Sequence, residues 1–575
     1  MPLSVTGDYS AEPLVVAATD AAGNQRISDP RVLFVDTVAP VITFTSPAAN
    51  AKLNASSFVG TDDVVVSWQV QDGDSHASTV SVDGVPTTNN QATVTTSASD
   101  NGRTITKTVV AADRRGNVAM ASLSFAVDRV APTIVSWLPA ANARNVEPRT
   151  TTITFSEPVS GPTTSSDALT ISNVTQPGTW DPSHASWTST ALAPYSVFTA
   201  TLANLSDDFG NPIASSSRKF HTAAVVPASG LVLATNVTNF QVTADTDGVV
   251  TIATTTSSTG YRVFSISPTT GAVLPPVLSD SNSGTFRLNS SLTVDPNTLV
   301  ATHRVGSARY GGVGPGPLPP VGLVRHVITD GVPGAVGSTA DAMGGVLSIG
   351  AFAGESDSTP YGHIDGVTYR RGTATRTLGN PTDLLVAQSN SSWAGFSIQP
   401  NARIAWSRFL CIPDRFGGAS CQSFAFNFNL TTMSSVTELT AAMSPSGRCL
   451  AVMASDISAR VGATVPQAMC NELRPVGSPP HPSCTNTSYA MQSIGAGFRV
   501  APFGGNGEDN LLGAYSVNGI PRLQKMSDPN GCTGFNTNIG TPAPEVARAF
   551  EPVQMGNKPA LLYTDTNNTL KLYVP

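Results

Sequence analysis

Apolar residues recur at every second position in many short stretches of this chain, as in SLSFAVD at 122–128 and QSFAFNFN at 422–429. Such alternation predicts strands with one buried and one exposed face. The stretches are bounded by Gly, Pro, Asn and Asp, which end strands in turns. No apolar run reaches the 18 residues needed to span a bilayer as a helix. The pattern therefore predicts an all-β chain, and 575 residues of it should form several domains.

The strands are grouped at two wavelengths. Toward the front of the chain an Asp-x-x-Gly-Asn element appears as ATDAAGN at 18–24, AADRRGN at 111–117 and SDDFGN at 206–211, so that Asp20, Asp113 and Asp207 stand 93 and then 94 residues apart. A second repeat runs alongside it: FVDTVAPVITFTSPAAN at 34–50 matches AVDRVAPTIVSWLPAAN at 126–142. A period of this size suits a β-sandwich of about 100 residues. Each Ala-Pro marks an extended junction, because proline fixes φ and lacks an amide donor. The Asp-x-x-Gly-Asn element reads as a hairpin corner: Gly116 and Asn117 can take positive φ, and the Asp113 carboxylate can accept turn amides. A calcium role would need acidic partners, and Asp113 has none at ligand spacing along the sequence. Asp36 and Asp128, just before the junctions, are calcium candidates. The expected domains are 1–38, holding only the last strands of a sandwich, then 39–130 and 131–223. The opening MPLSVTGDYSAEPLVVAA lacks the basic segment and apolar core of a secretory signal, so further chain is expected upstream.

The corner and the Val-Asp-x-x-Ala-Pro junction resemble the bacterial Ig-like repeats of large surface proteins and adhesins. Residues 131–223 resemble more specifically the S-layer type, through APTIVSWLPAANARNVEPRTTTITFSEPVS, YSVFTATLANLSDDFGNPI and the closing RKFHT. The resemblance implies spacer domains in an extracellular or outer-surface bacterial protein. Calcium-binding relatives carry more carboxylates at their junctions than this sequence displays.

Beyond about residue 225 the period shortens. Apolar runs begin at 249, 299, 346, 403, 448, 510 and 559, in steps of 50, 47, 57, 45, 62 and 49. Strand-and-turn units of about 40–50 residues point to propeller blades, which stack because no blade can bury both faces alone. Seven runs predict seven blades over 224–575. TLKLYVP at the end reads as a third strand without a fourth, so GLVLATNV at 230–237 is expected to supply that strand and close the ring. The resemblance to propellers is architectural: Trp-Asp endings, kelch patterns and the sialidase aspartate box are absent. Another large sandwich or a β-helix is the alternative fold.

Composition narrows the chemistry. Charged residues are only 12%, and a net charge of −7 gives no basic footprint for nucleic acid. Cys411, Cys421, Cys449, Cys470, Cys484 and Cys532 all lie in the last third, an even set that favours disulfides, with Cys411–Cys421 the preferred bridge. No zinc, nucleophile-elbow or phosphate-loop motif occurs, and His363 near Asp365 lacks a nucleophile or metal partner. Glu508 and Asp509 in GGNGEDN are further calcium candidates. Tyr310, Tyr361, Trp393 and Trp406, placed in or near the blade loops, are candidates for contacting a glycan, whereas Trp68 and Trp137 belong to sandwich cores. The sequence thus predicts tandem Ig-like β-sandwiches followed by a seven-bladed β-propeller, with no catalytic residue and no cofactor beyond calcium. The expected role is extracellular binding or adhesion toward a glycan or protein. A secreted carbohydrate-active enzyme or a structural surface component is the alternative.

Overall fold

The computed structural model describes residues 9–310 and 499–575, except 59–61, 74–76, 89, 161–168, 176–177, 257–259, 281–284, 506–507 and 529–532. Between these two stretches it describes 323–334, 337–339, 346–347, 363–364, 368–371, 374–377, 384–388, 392–399, 403–413, 419–429, 438–444, 450–455, 460–464 and 487–490. Strands dominate, and the only helical elements among the described residues are single turns such as Ala55–Ser57 and Ala98–Asp100. By internal contacts the chain divides into two compact units. One is Met1–Leu138 with Thr151–Thr190 and Ala200–Ser217, and the other is Pro139–Thr150 with Ala191–Thr199 and Arg218–Pro575.

The strands between Val41 and Val127 form two sheets that share one core. Asp63–Gln71 lies between Gln91–Thr95 and Val41–Ser46, facing a sheet ordered Lys52–Leu53, Val118–Val127, Arg103–Asp113, Ala77–Val82 and Val85–Thr87. Alternation does its work here: Val64, Val66 and Trp68 point inward to meet Val109, Leu123, Phe125 and Val127, and Trp68 is fully buried. The next sandwich pairs a sheet ordered Ile134–Leu138, Thr152–Phe155, Ser186–Ser189 and Gly178–Trp180 with one made of Leu169–Ile171, Val197–Leu202 and Ser216–His221. Its large buried side chains include Ile153, Trp187 and Phe220, and Trp137 is buried as expected. Gly178 is required by close packing, since a Cβ there would lie 2.6 Å from the Trp187 ring.

From residue 232 onward the pairing is propeller-like. Among the described residues seven sheets of mostly four strands follow, and six are built from consecutive strands in chain order. The seventh takes Ala547–Met555, Lys558–Asp565 and Leu570–Tyr573 from the C-terminal end and Val232–Ala234 from far upstream, in the register Val232↔Lys571 and Ala234↔Leu570. The strand expected to complete the last sheet does so. First strands of neighbouring sheets lie side by side: Ala547–Met555 beside Val237–Ala244, and Val237–Ala244 beside Thr285–Val294. The first sheet is buried on both faces. Ile252 and Phe264 pack toward Leu562, Leu570 and Leu572 of the last sheet, while Ala253 and Val263 pack toward Leu288 and Val305 of the second. Double burial explains why LLGAY and ALLY are unbroken apolar runs instead of alternating ones.

The aspartate corner recurs in both parts of the chain. Oδ1 of Asp113 accepts the amides of Arg115, Gly116 and Asn117, and Oδ1 of Asp207 accepts those of Phe209 and Asn211. Asp245 and Asp565, at hairpins of the first and last sheets, likewise accept the amides two and four residues on. The residue three beyond each aspartate has positive φ: 94° at Gly116, 86° at Gly210, 73° at Gly248 and 60° at Asn568. The expectation that Asn117 shares this conformation is corrected, because only the glycine of the corner needs it.

Candidate metal centres at the sandwich junctions

Asn117 has a different task. Its Nδ2 donates to Asp113 Oδ2 at 2.7 Å and to the Asp36 carbonyl at 2.9 Å, which ties the corner to the junction before it. Asn211 repeats both bonds, to Asp207 Oδ2 at 2.7 Å and to the Asp128 carbonyl at 2.9 Å. Its Oδ1 also accepts the Ala55 amide at 3.0 Å. The junction aspartates turn the chain in the same way, Asp36 Oδ1 accepting the Val38 amide and Asp128 Oδ1 the Val130 amide. One amide side chain per junction thus satisfies two oxygens that sequence alone would leave unrelated.

This clip gathers carboxylates. Asp36, Asp72 and Asp113 offer oxygens all within 4.8 Å of one another, and so do Asp128, Glu157 and Asp207. The expectation that Asp113 lacks acidic partners is therefore overturned, since the fold brings them from a junction and from a strand end. Asp72 follows the strand Asp63–Gln71 and Glu157 follows Thr152–Phe155. The spacing hid them: Asp72 lies 36 residues past Asp36, while Glu157 lies only 29 past Asp128. In both trios the corner aspartate is buried.

No lysine or arginine pairs with the second trio among the described residues. Burial, and then the charges of Asp128 and Asp207, push the Glu157 carboxyl above its ordinary value. At Asp113 burial also pushes upward, but hydrogen bonds from the Asn117 side chain and from the amides of Asn117, Arg115 and Gly116 outweigh it, and the carboxyl sits below its ordinary value. Hard, clustered oxygens of this kind suit calcium, which takes 6–8 oxygen ligands and tolerates irregular geometry. Three carboxylates supply between three and six of them.

The other candidates from sequence lie elsewhere. Glu508 is ion-paired with Lys525 and accepts from Asn510, so its counter-charge comes from the protein itself. Trp393 and Trp406 sit within the strands Ser392–Gln399 and Arg403–Pro413, where they face Phe409 and Phe426 in the strand register, and Tyr310 ends the strand Ala301–Tyr310. Trp393 and Tyr310 thus stand next to or at a strand end, and Trp406 lies inside its strand. His363 lies in a short strand, His363–Ile364. Tyr361, Cys449, Cys470, Cys484 and Cys532 fall outside the described residues. Cys411 and Cys421 stand directly opposite each other in antiparallel register.

Residues 128–222 match a bacterial Ig-like domain. That stretch contains the whole second trio and the Asn211 clip. No curated protein matches the chain. Similar solved structures include the NanB sialidase of Streptococcus pneumoniae, at 9% identity and a TM-score of 0.32, covering 81% of this chain and 87% of that one. A lectin of Aleuria aurantia is 8% identical with a TM-score of 0.29, covering 60% of this chain and 94% of that one. TolB of Acinetobacter baumannii is 8% identical with a TM-score of 0.25, covering 67% of this chain and 77% of that one. At such scores the propeller-like reading rests on the strand pairing itself. No helix among the described residues is long and apolar enough to cross a membrane.

Proposed function

We propose that this chain is a bacterial surface or secreted binding protein, in which calcium-stiffened sandwiches serve as spacers and a closed seven-bladed wheel carries recognition of a glycan or protein. The repeated junction carries the reading: the same Asn clip and the same three-carboxylate cluster occur at two successive sandwich boundaries. A spacer gains from this because an ion shared by corner, strand end and junction removes the junction's freedom to bend. The Cys411–Cys421 register supports a cross-strand bridge, which suits an oxidising compartment. The strand pairing of Val232–Ala234 with Leu570–Tyr573 supports closure of the wheel.

Calcium is the first test. With a Kd near 0.1 mM, in the range of extracellular modules, 10 mM calcium should stabilise a site by about 2.7 kcal/mol, read as a rise in melting temperature of the full chain. The pH dependence has a definite sign. Without calcium, the raised Glu157 carboxyl contributes stability that is present below its ordinary value of 4.5 and is lost as pH rises through its folded value. Calcium should reverse the trend, binding more tightly as that carboxyl ionises, and Glu157→Gln should remove one of two sites by calorimetric titration. Equal melting with calcium and with chelator at pH 7 would refute the spacer reading. Recognition is tested by glycan and protein arrays probed with 225–575 and with 39–223. Retention of ligand by 225–575 is expected, and retention by 39–223 alone would move recognition to the sandwiches.

A further inference from the structure

The second unit buries an unusual set of ionisable groups. Asp245, at the hairpin after Val237–Ala244, meets Nδ1 of His303 through its Oδ2 while its Oδ1 holds the hairpin amides. Nε2 of His303 meets the hydroxyl of Tyr195, from the segment Ala191–Thr199. The Tyr195 ring stands edge-on to His221, with centroids 4.7 Å apart. Beside this chain Arg144, from Pro139–Thr150, forks onto both oxygens of Asp247 and donates to the Leu299 carbonyl. Asp330 closes the far side by accepting the His303 amide at 2.7 Å. Asn145 donates to the Gly556 carbonyl, and the Lys219 ammonium donates to the Asn297 carbonyl.

We propose that this cluster is a proton-operated latch, which holds Pro139–Thr150 and Ala191–Thr199 against the first two sheets and releases them when His221 takes up a proton. The two histidines differ in what surrounds them. His303 has a partner at each ring nitrogen, and the Tyr195 hydroxyl can donate to a bare Nε2 or accept from a protonated one. His303 can therefore titrate without losing a bond. His221 is only 4% exposed and its Nδ1 is buried without a partner. A proton there would place an unpaired cation close to Arg144 and His303, with Asp247 as the one opposing charge and Asp245 and Asp330 already engaged.

The direction of the response follows. Burial lowers the His221 pKa to about 4, Asp247 opposes the shift, and Arg144 and His303 add to it. A lowered histidine contributes stability that is full above 6.5 and is lost as pH falls toward 4, by up to about tenfold in the open–closed equilibrium per pH unit. His303 acts in the opposite sense. Burial lowers its affinity for a proton, but Asp245, Asp247 and Asp330 outweigh that, so its contribution is present below 6.5 and fades as pH rises through the raised value. The latch is tightest near neutrality.

Hydrogen exchange of the full chain, corrected for intrinsic rates, tests this. Between pH 7 and pH 5 the backbone of 139–150 and 191–199 should lose protection by about tenfold, and His221→Phe, which keeps the ring contact, should abolish that loss and leave only the opposing gain from His303. Protection that stays flat with pH in the unmodified chain would overturn the latch, as would an unchanged pH profile in His221→Phe. Should that variant fail to fold, the imidazole titration of His221 by NMR decides. A pKa well below 6.5 is expected, and one at or above 6.5 overturns the proposal.

Discussion

Leu572→Ala is expected to destabilise the second unit by about 2–5 kcal/mol, the range for a leucine truncated in a close-packed core. Leu572 is fully buried on the strand that joins the two distant parts of the chain, packed with Leu233, Ile252, Phe264 and Leu562. Its backbone forms the clasp as well, since its amide donates to the Leu231 carbonyl at 3.0 Å and its carbonyl accepts the Gly230 amide at 2.7 Å. Removal of its side chain therefore opens a cavity in the seam between first and last sheets. Ending the chain at Asn568 should do more, leaving Val232–Ala234 and Lys558–Asp565 as unpaired edges and destroying cooperative unfolding. Calorimetry or urea unfolding measures both. A loss below about 1 kcal/mol for Leu572→Ala would mean that the seam does not hold the second unit together.

Asp207→Ala should cost about 2–4 kcal/mol in the first unit and remove its share of the calcium response. The carboxylate is 3% exposed and accepts the Phe209 and Asn211 amides and the Asn211 side chain. Truncation leaves those buried donors without acceptors, each worth about 1–3 kcal/mol when unsatisfied, with relaxation recovering part. It also frees Asn211, which clips the Asp128 carbonyl. The first copy provides the control. Asp20 accepts the equivalent amides of Ala22 and Asn24, yet that corner is exposed, so water can replace the lost acceptor. Asp20→Ala should cost no more than about 1 kcal/mol by denaturant titration. Equal losses at the two corners would show that burial is not what makes the motif matter.

Much of the fold was legible in the sequence because strand patterning is local. Alternation marked the buried Trp68 and Phe125, and the Asp-x-x-Gly-Asn spacing set the period of the sandwiches. The unpaired final run even pointed to Val232–Ala234 as its partner. The candidate site was only half legible. Asp36 and Asp128 stood out beside their junction prolines. Asp72 and Glu157 did not, because loops of different length carry them to equivalent places.

The all-β class, the two repeat lengths, the corner chemistry and the strand that completes the last sheet can all be read from the order of residues along the chain. These depend on side-chain period and on turn residues within a few positions of one another. Three-dimensional packing alone sets which carboxylates share a junction, that Asn117 and Asn211 clip the preceding linker, and that Tyr195, His221, Asp245 and His303 meet. Such encounters occur where sheet ends and loops converge, over separations of up to 108 residues. Strand periodicity carries no information about them, because it fixes which face a residue takes and not which distant loop arrives there.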